Sequence, residues 1–585
     1  MKRLFHLIRS DIPVITINIR LSRYLSQQYD LEMRANGLNT WKSPLIIPLS
    51  AWIESLWLES WPEKPLLSKT RSQALWEKIV SDDRSISDKD ILSISGVADT
   101  SYKAYSLIKE YHLPSPQDDI YLTEEASALS GWINTYDKEV KRLGFISPLS
   151  LPDSVIRLIE DRRIEIPAEI ILAGFDEITP RTESIIKTIE GTGGKVTFWP
   201  HKPMAHNKPF ELHDIGDRLT VRRYADMVEE VIQAARWARK TIHPDKRIGF
   251  IVPQLDRYRD VIVREFSAEL NPPSILPWKG TADIFNISLG TPLYEEPLVK
   301  LALNILSIDE GRHDIHKVSQ ILLSPFISSG EVEYHSISRL DAEFKEKNST
   351  NIGLFDIKER VRTRRREEDL HLQGFGKKVE SWIGRLKKEK RKGYPSHWAG
   401  RFSDLLEEMG WASGGITLNS YEYQVQNAWN ELLGQMAGLD DILGKISRRD
   451  AVSRLIAMAM ERKHQPESPE SPIQVLGTLE AAGQYFDHIW ILGAHEDAFP
   501  AQPSPNPFIP LYIQKKHNIP HSSPERELSF ARVVLRRLLN SAQSFEVSFP
   551  ETIEKRETHL STLFSQLSGK EDSSPLREGS RMKDT

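Results

Sequence analysis

The sequence predicts an α/β fold with two parallel-sheet cores, each interrupted by a helical insert. Short runs of apolar, β-forming residues are followed at once by helical patterns, which is the order found in α/β proteins. Two long stretches with only helical spacing separate these runs. The composition, with 39% hydrophobic and 27% charged residues over 585 positions, is that of an ordinary globular chain. At roughly 150 residues per domain, the length predicts about four domains.

The first core is expected on both sides of the first helical stretch. Apolar runs at 13–17 and 45–49 each precede a helical pattern, and Ser50 is expected to cap the second helix, at 51–60. The core resumes with a strand at 169–175, a helix at 182–190 and a strand at 195–199. The strand–helix–strand order predicts a parallel β-α-β unit.

The second core repeats this organisation. A helix at 225–242, a strand at 247–253 and a helix at 255–270 come before the second helical stretch. Strands at 473–476, 486–493 and 544–549, with a helix at 525–540, come after it. The expected boundaries are 1–67 and 166–210 for the first core, 68–165 for its insert, 211–289 and 471–565 for the second core, 290–470 for its insert, and 566–585 for a disordered tail.

Charge is unevenly distributed along the chain. The whole sequence has a net charge of −5, from 77 Lys and Arg against 82 Asp and Glu. That balance excludes a histone-like polycation but is compatible with a local nucleic-acid-binding patch. Residues 356–392 hold 14 Lys and Arg against 7 Asp and Glu, which gives a local charge of +7. The second helical insert is therefore expected to be basic.

The chain contains no cysteine. This excludes a disulfide framework, a thiolate zinc site, an iron–sulfur cluster and a cysteine nucleophile. No segment reaches about 18 consecutive apolar residues, so we expect no membrane-spanning helix and no membrane partner. The N-terminal residues lack a long apolar run and a small-residue cleavage site, and they are interpreted as part of the fold. The expected compartment is the cytoplasm.

A nucleotide-hydrolysing site needs a phosphate-binding loop, and the sequence shows none. The glycines of such a loop let backbone N–H groups approach the phosphates, while its Lys and hydroxyl residues bind phosphate and magnesium. Residues 16–21, which follow the first strand, include no glycine. The glycine-rich string 191–195 precedes a strand instead of a helix, and Val196 follows its lysine. It is therefore interpreted as a helix C-terminal turn.

Asp176 and Glu177, here named the acidic pair, follow the apolar strand at 169–175. In ATPases such a pair coordinates magnesium and polarises the attacking water. The alternative is an acidic pair at a helix N-terminus, where the helix dipole favours negative charge. The charge run 387–392, which contains Glu389, is interpreted as a solvated helix face and not as a nuclease strand. With no hydrolase motif elsewhere, we expect no catalytic residue, no metal site and no cofactor.

Candidate contacts to nucleic acid lie in two places. Two arginines are one turn apart at the start of the first core helix. A second set lies in the basic insert, where arginines could neutralise phosphates and tryptophans could stack on bases. The alternative for the second set is an exposed charged helix, partly neutralised by Glu367, Glu368 and Asp369. The candidates are Arg20, Arg23, Arg362, Arg364, Arg365, Arg366, Trp382 and Trp398.

The segment 475–500 carries the most specific pattern in the chain. It reads VLGTLEAAGQYFDHIWILGAHEDAFP, with Gly483, Phe486 and Asp487 in the turn between two strands. This string resembles the motif in the second core of UvrD- and RecB-type superfamily 1 helicases. The helix that follows, with Glu525 and Arg526 near its start, is similar to the last motif of that family. Its continuation departs from the family pattern, so no arginine finger is assigned.

Further strings extend the resemblance over residues 1–565. They are similar to a group of bacterial probable DNA repair proteins that belongs with AddB-like and RecB-family helicase–nuclease proteins. The resemblance implies two RecA-like cores and a role in DNA repair or recombination. The strings lie at 17–25, 44–57, 173–180, 247–253 and 285–297.

The resemblance covers only the helicase-shaped part of the family's architecture. A PD-(D/E)XK nuclease domain follows the helicase-shaped part in that family, and its carboxylate core is not found in this chain. The chain is therefore expected to be a DNA-binding scaffold with degenerate ATPase motifs. Its expected partners are DNA, as a single strand or a duplex end, and a helicase–nuclease subunit. The alternatives are a fragment of an active exonuclease or helicase-like enzyme, and a protein-interaction scaffold without DNA affinity.

Overall fold

The computed structural model divides the chain into two compact units. The first unit comprises Met1–Ser68, Ile79–Leu289 and Ser468–Thr585, and the second comprises Lys69–Lys78 and Gly290–Glu467. The expected tail at 566–585 lies outside the described residues. The structure describes residues 2–9, 11–83, 93–114, 123–200, 218–243, 245–272, 284–327, 331–346, 350–366, 370–389, 391–412, 417–465 and 471–565.

The first sheet is fully parallel and has the four strands that the sequence predicts. Val14 pairs with Ile46 on one side and with Ile171 on the other, so the strand that begins the fold is central. Apolar side chains cover both faces, as expected for a parallel sheet enclosed by helices. The strand order is Ile46–Pro48, Val14–Thr16, Glu169–Ala173, Lys195–Trp199.

Helices enclose this sheet, and their starts follow local capping chemistry. Asn18 caps the first core helix, because its Oδ1 accepts the Leu21 N–H at 2.8 Å. The expectation for Ser50 is wrong: the helix begins at Leu49 with Pro48 before it, so Ser50 lies inside the first turn. The helices of this part are Lys2–Arg9, Ile19–Ala35, Leu49–Glu59, Ile94–Glu110, Glu124–Arg142, Leu151–Glu160 and Pro180–Gly191.

The second sheet has seven strands and is parallel except at one edge. The four expected strands are all present, and three further strands, Leu219–Asp226, Phe285–Ile287 and Arg556–Glu557, were not predicted. Leu219–Asp226 pairs in parallel with the long strand Ser544–Ile553. The order is Arg556–Glu557, Ser544–Ile553, His488–Ile491, Ile248–Ile251, Ile473–Leu476, Phe285–Ile287, with Leu219–Asp226 also paired to Ser544–Ile553.

Helices on both faces of the second sheet form two apolar clusters. Their apolar residues recur at three- and four-residue spacing and face the strands. The helix expected at 225–242 begins at Met227, because Tyr224 and Ala225 still belong to the preceding strand. The helices of this part are Met227–Thr241, Leu255–Leu270, Leu511–Lys516, Pro524–Leu539 and Thr562–Ser565.

The second unit is mostly helical and has its own core. Two pairs of very short antiparallel strands, Thr291–Pro292 with Lys463–His464 and Arg312–Asp314 with Asn351–Gly353, supplement the helices. Every helix in the described part of the chain is too short or too polar to cross a lipid bilayer. The helices of the second unit are Lys69–Asp82, of which residues 69–78 belong to it, Pro297–Leu306, Ile315–Leu322, Glu331–Glu346, Leu354–Arg366, Gln373–Lys387, Pro395–Met409, Ser420–Ala437, Asp440–Leu443 and Arg448–Glu461.

Candidate functional site

The acidic pair lies at the carboxyl edge of the first sheet, where ligands bind in many α/β proteins. Asp176 and Glu177 stand between the strand Glu169–Ala173 and the helix Pro180–Gly191. Gly174 turns the chain here with a φ of +77°, and a Cβ at this position would meet the Leu21 side chain at 2.4 Å. The glycine therefore lets this turn pack tightly on the first core helix.

Glu177 is bound by an arginine from the other sheet's helices. Arg526 Nη2 donates to Glu177 Oε2 at 2.7 Å, and its side chain is only 3% exposed. Arg526 Nε donates to the carbonyl of Asn518 at 3.0 Å, and the guanidinium lies 5.3 Å from the Phe530 ring centroid. These contacts hold the guanidinium in a fixed position against the acidic pair.

Asp176 is bound in the same way by Arg537, whose Nη1 donates to Asp176 Oδ2. Arg537 Nη2 also donates to the carbonyl of Thr478 at 2.5 Å. Burial lowers the pKa of Arg537 to about 10, which leaves the guanidinium charged at neutral pH. Arg526 and Arg537 belong to one helix, Pro524–Leu539, named here the arginine helix. Their separation is close to three helical turns, so both point to the same side.

The residues of the helicase-like string have packing roles. Gly483 has a φ of +69°, and a Cβ there would meet Leu21 at 2.8 Å. Phe486 is buried and packs against Gly249. Asp487 Oδ2 accepts the backbone N–H of Arg247 at 2.7 Å, which joins the starts of two neighbouring strands. The string therefore shapes the joint between the two sheets.

Arg247 is a third arginine at this joint, and the sequence motifs did not identify it. Its guanidinium lies between two aromatic rings, 4.2 Å from the Tyr24 centroid and 4.9 Å from the Phe486 centroid. It also donates to the Tyr485 carbonyl at 3.0 Å and to Gln484 Oε1 at 2.9 Å. Since Tyr24 belongs to a helix of the first sheet, Arg247 links both sheets through cation–π contacts.

A cavity of about 300 Å³ lies beside the Asp176–Arg537 ion pair. Its walls are mostly apolar, with guanidinium and amide groups at its rim. Among the described residues there is no group of three His, Asp or Glu side chains placed to hold a metal ion. The cavity is lined by Gly174, Phe175, Asp176, Pro200, Gly483, Gln484, Tyr485, Val533, Arg536, Arg537, Asn540 and Ser541.

The position expected for a phosphate loop holds a short polar turn between two exposed isoleucines, Ile17 and Ile19. Thr16 Oγ1 donates to the Asn18 carbonyl at 2.9 Å, and Asn18 caps the helix. The turn 191–195 ends a helix, as predicted, with Thr192 at its C-terminus. Neither segment forms a glycine-rich phosphate cradle.

Arg20 and Arg23 have different surroundings. Burial lowers the pKa of Arg20, which Glu480 partly opposes, and Arg20 Nη2 lies 3.5 Å from the Ile287 carbonyl. Arg23 is exposed on the same helix. Glu525 lies on the exposed side of the arginine helix N-terminus, where a hydrogen bond with Ser523 lowers its pKa. Arg23 and Glu525 thus face solvent, whereas Arg20 is partly buried.

The arginine run in the second unit is largely paired within its own surroundings. Arg362 donates to Glu359 at 2.7 Å, and Arg364 pairs with Glu343. Arg360 pairs with the same Glu343 at 2.5 Å. The side chains of Arg365 and Arg366 lie outside the described residues. The described arginines of this run are therefore neutralised by Glu343 and Glu359, while the neutralising residues of the alternative, Glu367, Glu368 and Asp369, lie outside the described residues.

Trp382 and Trp398 are core residues, so the expectation that they stack on bases is wrong. Their exposed fractions are 3% and 0%, respectively. Trp398 Nε1 donates to the Ile446 carbonyl at 3.0 Å, and its ring stacks against Phe402. Both tryptophans were predicted to contact nucleic acid because they lie near basic residues in the sequence. Their apolar helical spacing places them in the core instead.

A polar cluster is buried in the second sheet, and sequence reasoning missed it. Glu230 is fully buried and accepts hydrogen bonds from Tyr258 Oη at 2.8 Å, Gly493 N–H at 2.9 Å and Ser548 Oγ at 2.5 Å. Burial raises the pKa of Glu230 to about 7, although these three donors lower it. Glu230 therefore ties its own helix to the helix Leu255–Leu270, to the strand Ser544–Ile553 and to the turn after the strand His488–Ile491.

Comparison with known proteins adds no identification. No family model matches this chain. No curated protein sequence matches it either. The inference of function therefore depends on the side chains described above, chiefly the acidic pair and the arginine helix.

Proposed function

We propose that this chain is a helicase-like DNA-binding scaffold of DNA repair or recombination that works without ATP. It holds DNA for a RecB-family nuclease or helicase partner. The two parallel sheets act as RecA-like cores, with the carboxyl edge of the first facing the arginine helix of the second. This arrangement is proposed from the resemblance of segment 475–500 to superfamily 1 helicases and from the parallel strand orders.

One observation carries the proposal: arginines occupy both carboxylates of the acidic pair. In a helicase ATPase such carboxylates bind magnesium and orient water. Here Arg526 binds Glu177 and Arg537 binds Asp176, so each negative charge is neutralised by the protein itself. A magnesium ion would have to displace two guanidinium groups, and no phosphate loop is present to supply compensating ligands.

The first prediction concerns ATP turnover. We expect the purified chain to hydrolyse no ATP above background, with or without single-stranded DNA, because the carboxylates are engaged and the phosphate cradle is missing. A coupled phosphate-release assay measures this, with an active superfamily 1 helicase as a positive control. Turnover that rises with DNA and falls in Asp176→Asn would contradict the proposal.

The second candidate function, a protein-interaction scaffold, is favoured by one surface feature. Trp61 is 92% exposed and follows the exposed Leu58 at the end of the helix Leu49–Glu59. A large exposed indole is unusual on a surface that contacts only water. DNA binding distinguishes the candidates, since phosphate contacts release counterions and make affinity depend steeply on salt. Salt-independent or absent DNA binding would favour the second candidate.

A further inference from the structure

The second unit carries a cluster of exposed cations at the end of the helix Gln373–Lys387. Sequence reasoning treated residues 387–392 as a solvated helix face. In the structure the helix ends at Lys387, and the described residues after it, 388–389 and 391–394, form a loop. The cations exposed at this helix end, on the loop after it, and on the neighbouring loop 444–447 with the first turn of the helix Arg448–Glu461 are named here the basic surface. They are Lys387, Lys388, Arg391, Lys392, Lys445 and Arg449.

Backbone pairing holds the two loops of the basic surface together. Gly393 N–H donates to the Ile446 carbonyl at 2.9 Å, and Ile446 N–H donates back to the Gly393 carbonyl at 2.9 Å. The buried Trp398 donates to the same Ile446 carbonyl. Because the bridge is antiparallel, Lys392 and Lys445 flank it on adjacent chain segments. The cations are therefore displayed from a fixed backbone.

The acidic residues near these loops are engaged in local contacts. Glu389 forms an ion pair with Arg448, whose Nε lies 3.1 Å from Glu389 Oε2, and both side chains are mostly covered. Asp440 accepts from the backbone and hydroxyl of Ser396, and Asp450 accepts from the backbone and hydroxyl of Ser447, which caps the helix Arg448–Glu461. In the described part of the chain, no ion pair joins a carboxylate to any cation of the basic surface. This distinguishes it from the arginine run at 360–366, whose described members are paired.

An exposed aromatic ring lies among these cations. Tyr394 is 45% exposed, and the ammonium of Lys445 lies 5.6 Å from its ring centroid. Cations that neutralise phosphates beside a ring that stacks on a base are the usual elements of single-strand binding sites. An unpaired base offers the flat face that such a ring requires.

We propose that the basic surface binds the phosphate backbone of single-stranded DNA and that Tyr394 stacks on one base. The inference deepens the proposed function and rests on it: it names where the scaffold holds DNA. Arg362 and Arg364 are already paired, so they contribute little. The contacts instead come from residues on the two bridged loops.

A charge-matched pair of variants tests this assignment. Binding of a fluorescent oligothymidylate is measured by anisotropy between about 50 and 200 mM salt. We expect the surface variant to bind at least tenfold more weakly, with the salt slope reduced by roughly 2 to 3, since each single-strand contact contributes about 0.7. We expect the control to match the wild type. The surface variant is Lys387→Gln, Lys388→Gln, Lys392→Gln, Lys445→Gln, and the control is Lys138→Gln, Lys141→Gln, Lys187→Gln, Lys240→Gln.

The outcomes separate the surface assignment from the proposed function. If the wild type shows no salt-dependent binding, both the scaffold function and this site are rejected. If the wild type binds and the surface variant binds equally well, the function stands and the site is wrong. If polyglutamate of equal charge binds the wild type as tightly and loses as much affinity in the variant, the surface recognises acidic protein, and the DNA assignment is overturned.

Substitutions of Tyr394 provide a second test, because they change stacking without changing the charge of the surface. We expect Tyr394→Leu to weaken oligothymidylate binding about fivefold or more with an unchanged salt slope, while Tyr394→Trp retains affinity. The ring is exposed, so circular dichroism should show an intact fold for both variants. Equal affinity in Tyr394→Leu and wild type would remove the stacking contact from the proposal.

Discussion

At the residue scale, the arginines at the joint between the sheets combine contacts that are far apart in the sequence. Asp176 and Arg537 are separated by 361 positions, and Glu177 and Arg526 by 349. Sequence patterns could place an acidic pair after a strand and an arginine early in a helix. These patterns did not show which arginine pairs with which carboxylate, because the pairing depends on how the two sheets pack.

Glu230 provides a prediction of pH dependence at the same scale. Its pKa is about 7 in the folded chain, against 4.5 for an ordinary glutamate, so the folded state binds the proton more tightly. The protonated Glu230 contributes to the free energy of unfolding. This contribution is fully present below about pH 4.5 and is lost as the pH rises to about 7. We expect a loss of about 3 kcal/mol in the free energy of unfolding over this window.

Urea denaturation at several pH values measures this loss. Glu230→Gln removes the titrating group and should flatten the curve in this window, while its amide can still bond to the hydroxyl partners. Glu125→Gln, on an exposed helix position, serves as the control and should retain the wild-type pH dependence. The same slope in Glu230→Gln and wild type would show that other groups cause the effect.

At the scale of elements, the arginine helix is the segment that joins the two sheets. It packs its apolar face on the second sheet through Val534, Leu535 and Leu538, and it directs Arg526 and Arg537 to the first. The sequence pattern predicted a helix here, at 525–540, but not which of its residues meet the first sheet. It missed the strand Leu219–Asp226, because two consecutive arginines interrupt its apolar alternation and only pairing with Ser544–Ile553 makes it extended.

The ion pair between Glu177 and Arg526 should be strongly coupled. We expect Arg526→Met to lower the free energy of unfolding by about 3 to 5 kcal/mol, because it leaves a partly buried carboxylate without its partner. Adding Glu177→Gln should recover much of that loss. Arg532→Met, exposed on the same helix, should change stability by less than about 0.5 kcal/mol. Additive effects of the two site substitutions in urea denaturation would refute the coupling.

At the scale of the whole molecule, the amino-acid composition said little about the fold. The order of the predicted strands and helices along the chain said the most. The apolar runs and their sequence order predicted both parallel sheets, since strand formation follows from local pattern. The net charge of −5 masks a basic segment in the second unit. Tertiary contacts decide which cations of that segment pair with a carboxylate and which face solvent unpaired. The sequence does not show these contacts, so it favoured the arginine run over the basic surface.

A whole-molecule prediction follows for nucleotide linkage. A ligand changes an equilibrium only when it binds the two states differently, so a chain without a nucleotide site cannot couple ATP to DNA affinity. We expect the dissociation constant for oligothymidylate to be the same, within about twofold, with magnesium alone, ATP or ADP at millimolar concentration. Anisotropy titrations measure this. A tenfold change with ATP would reveal coupling and contradict the proposed function.

The arginine helix also has a mechanical consequence. A motor protein moves along DNA by opening and closing the gap between its cores, whereas here any opening must break two ion pairs that are largely shielded from water. Burying an ion pair removes hydration from both charges, so such pairs add little net stability but strongly disfavour any packing that leaves one partner buried alone. In the proposed function, these pairs keep the two sheets in one register, so the scaffold would hold a bound strand at a fixed spacing instead of taking steps.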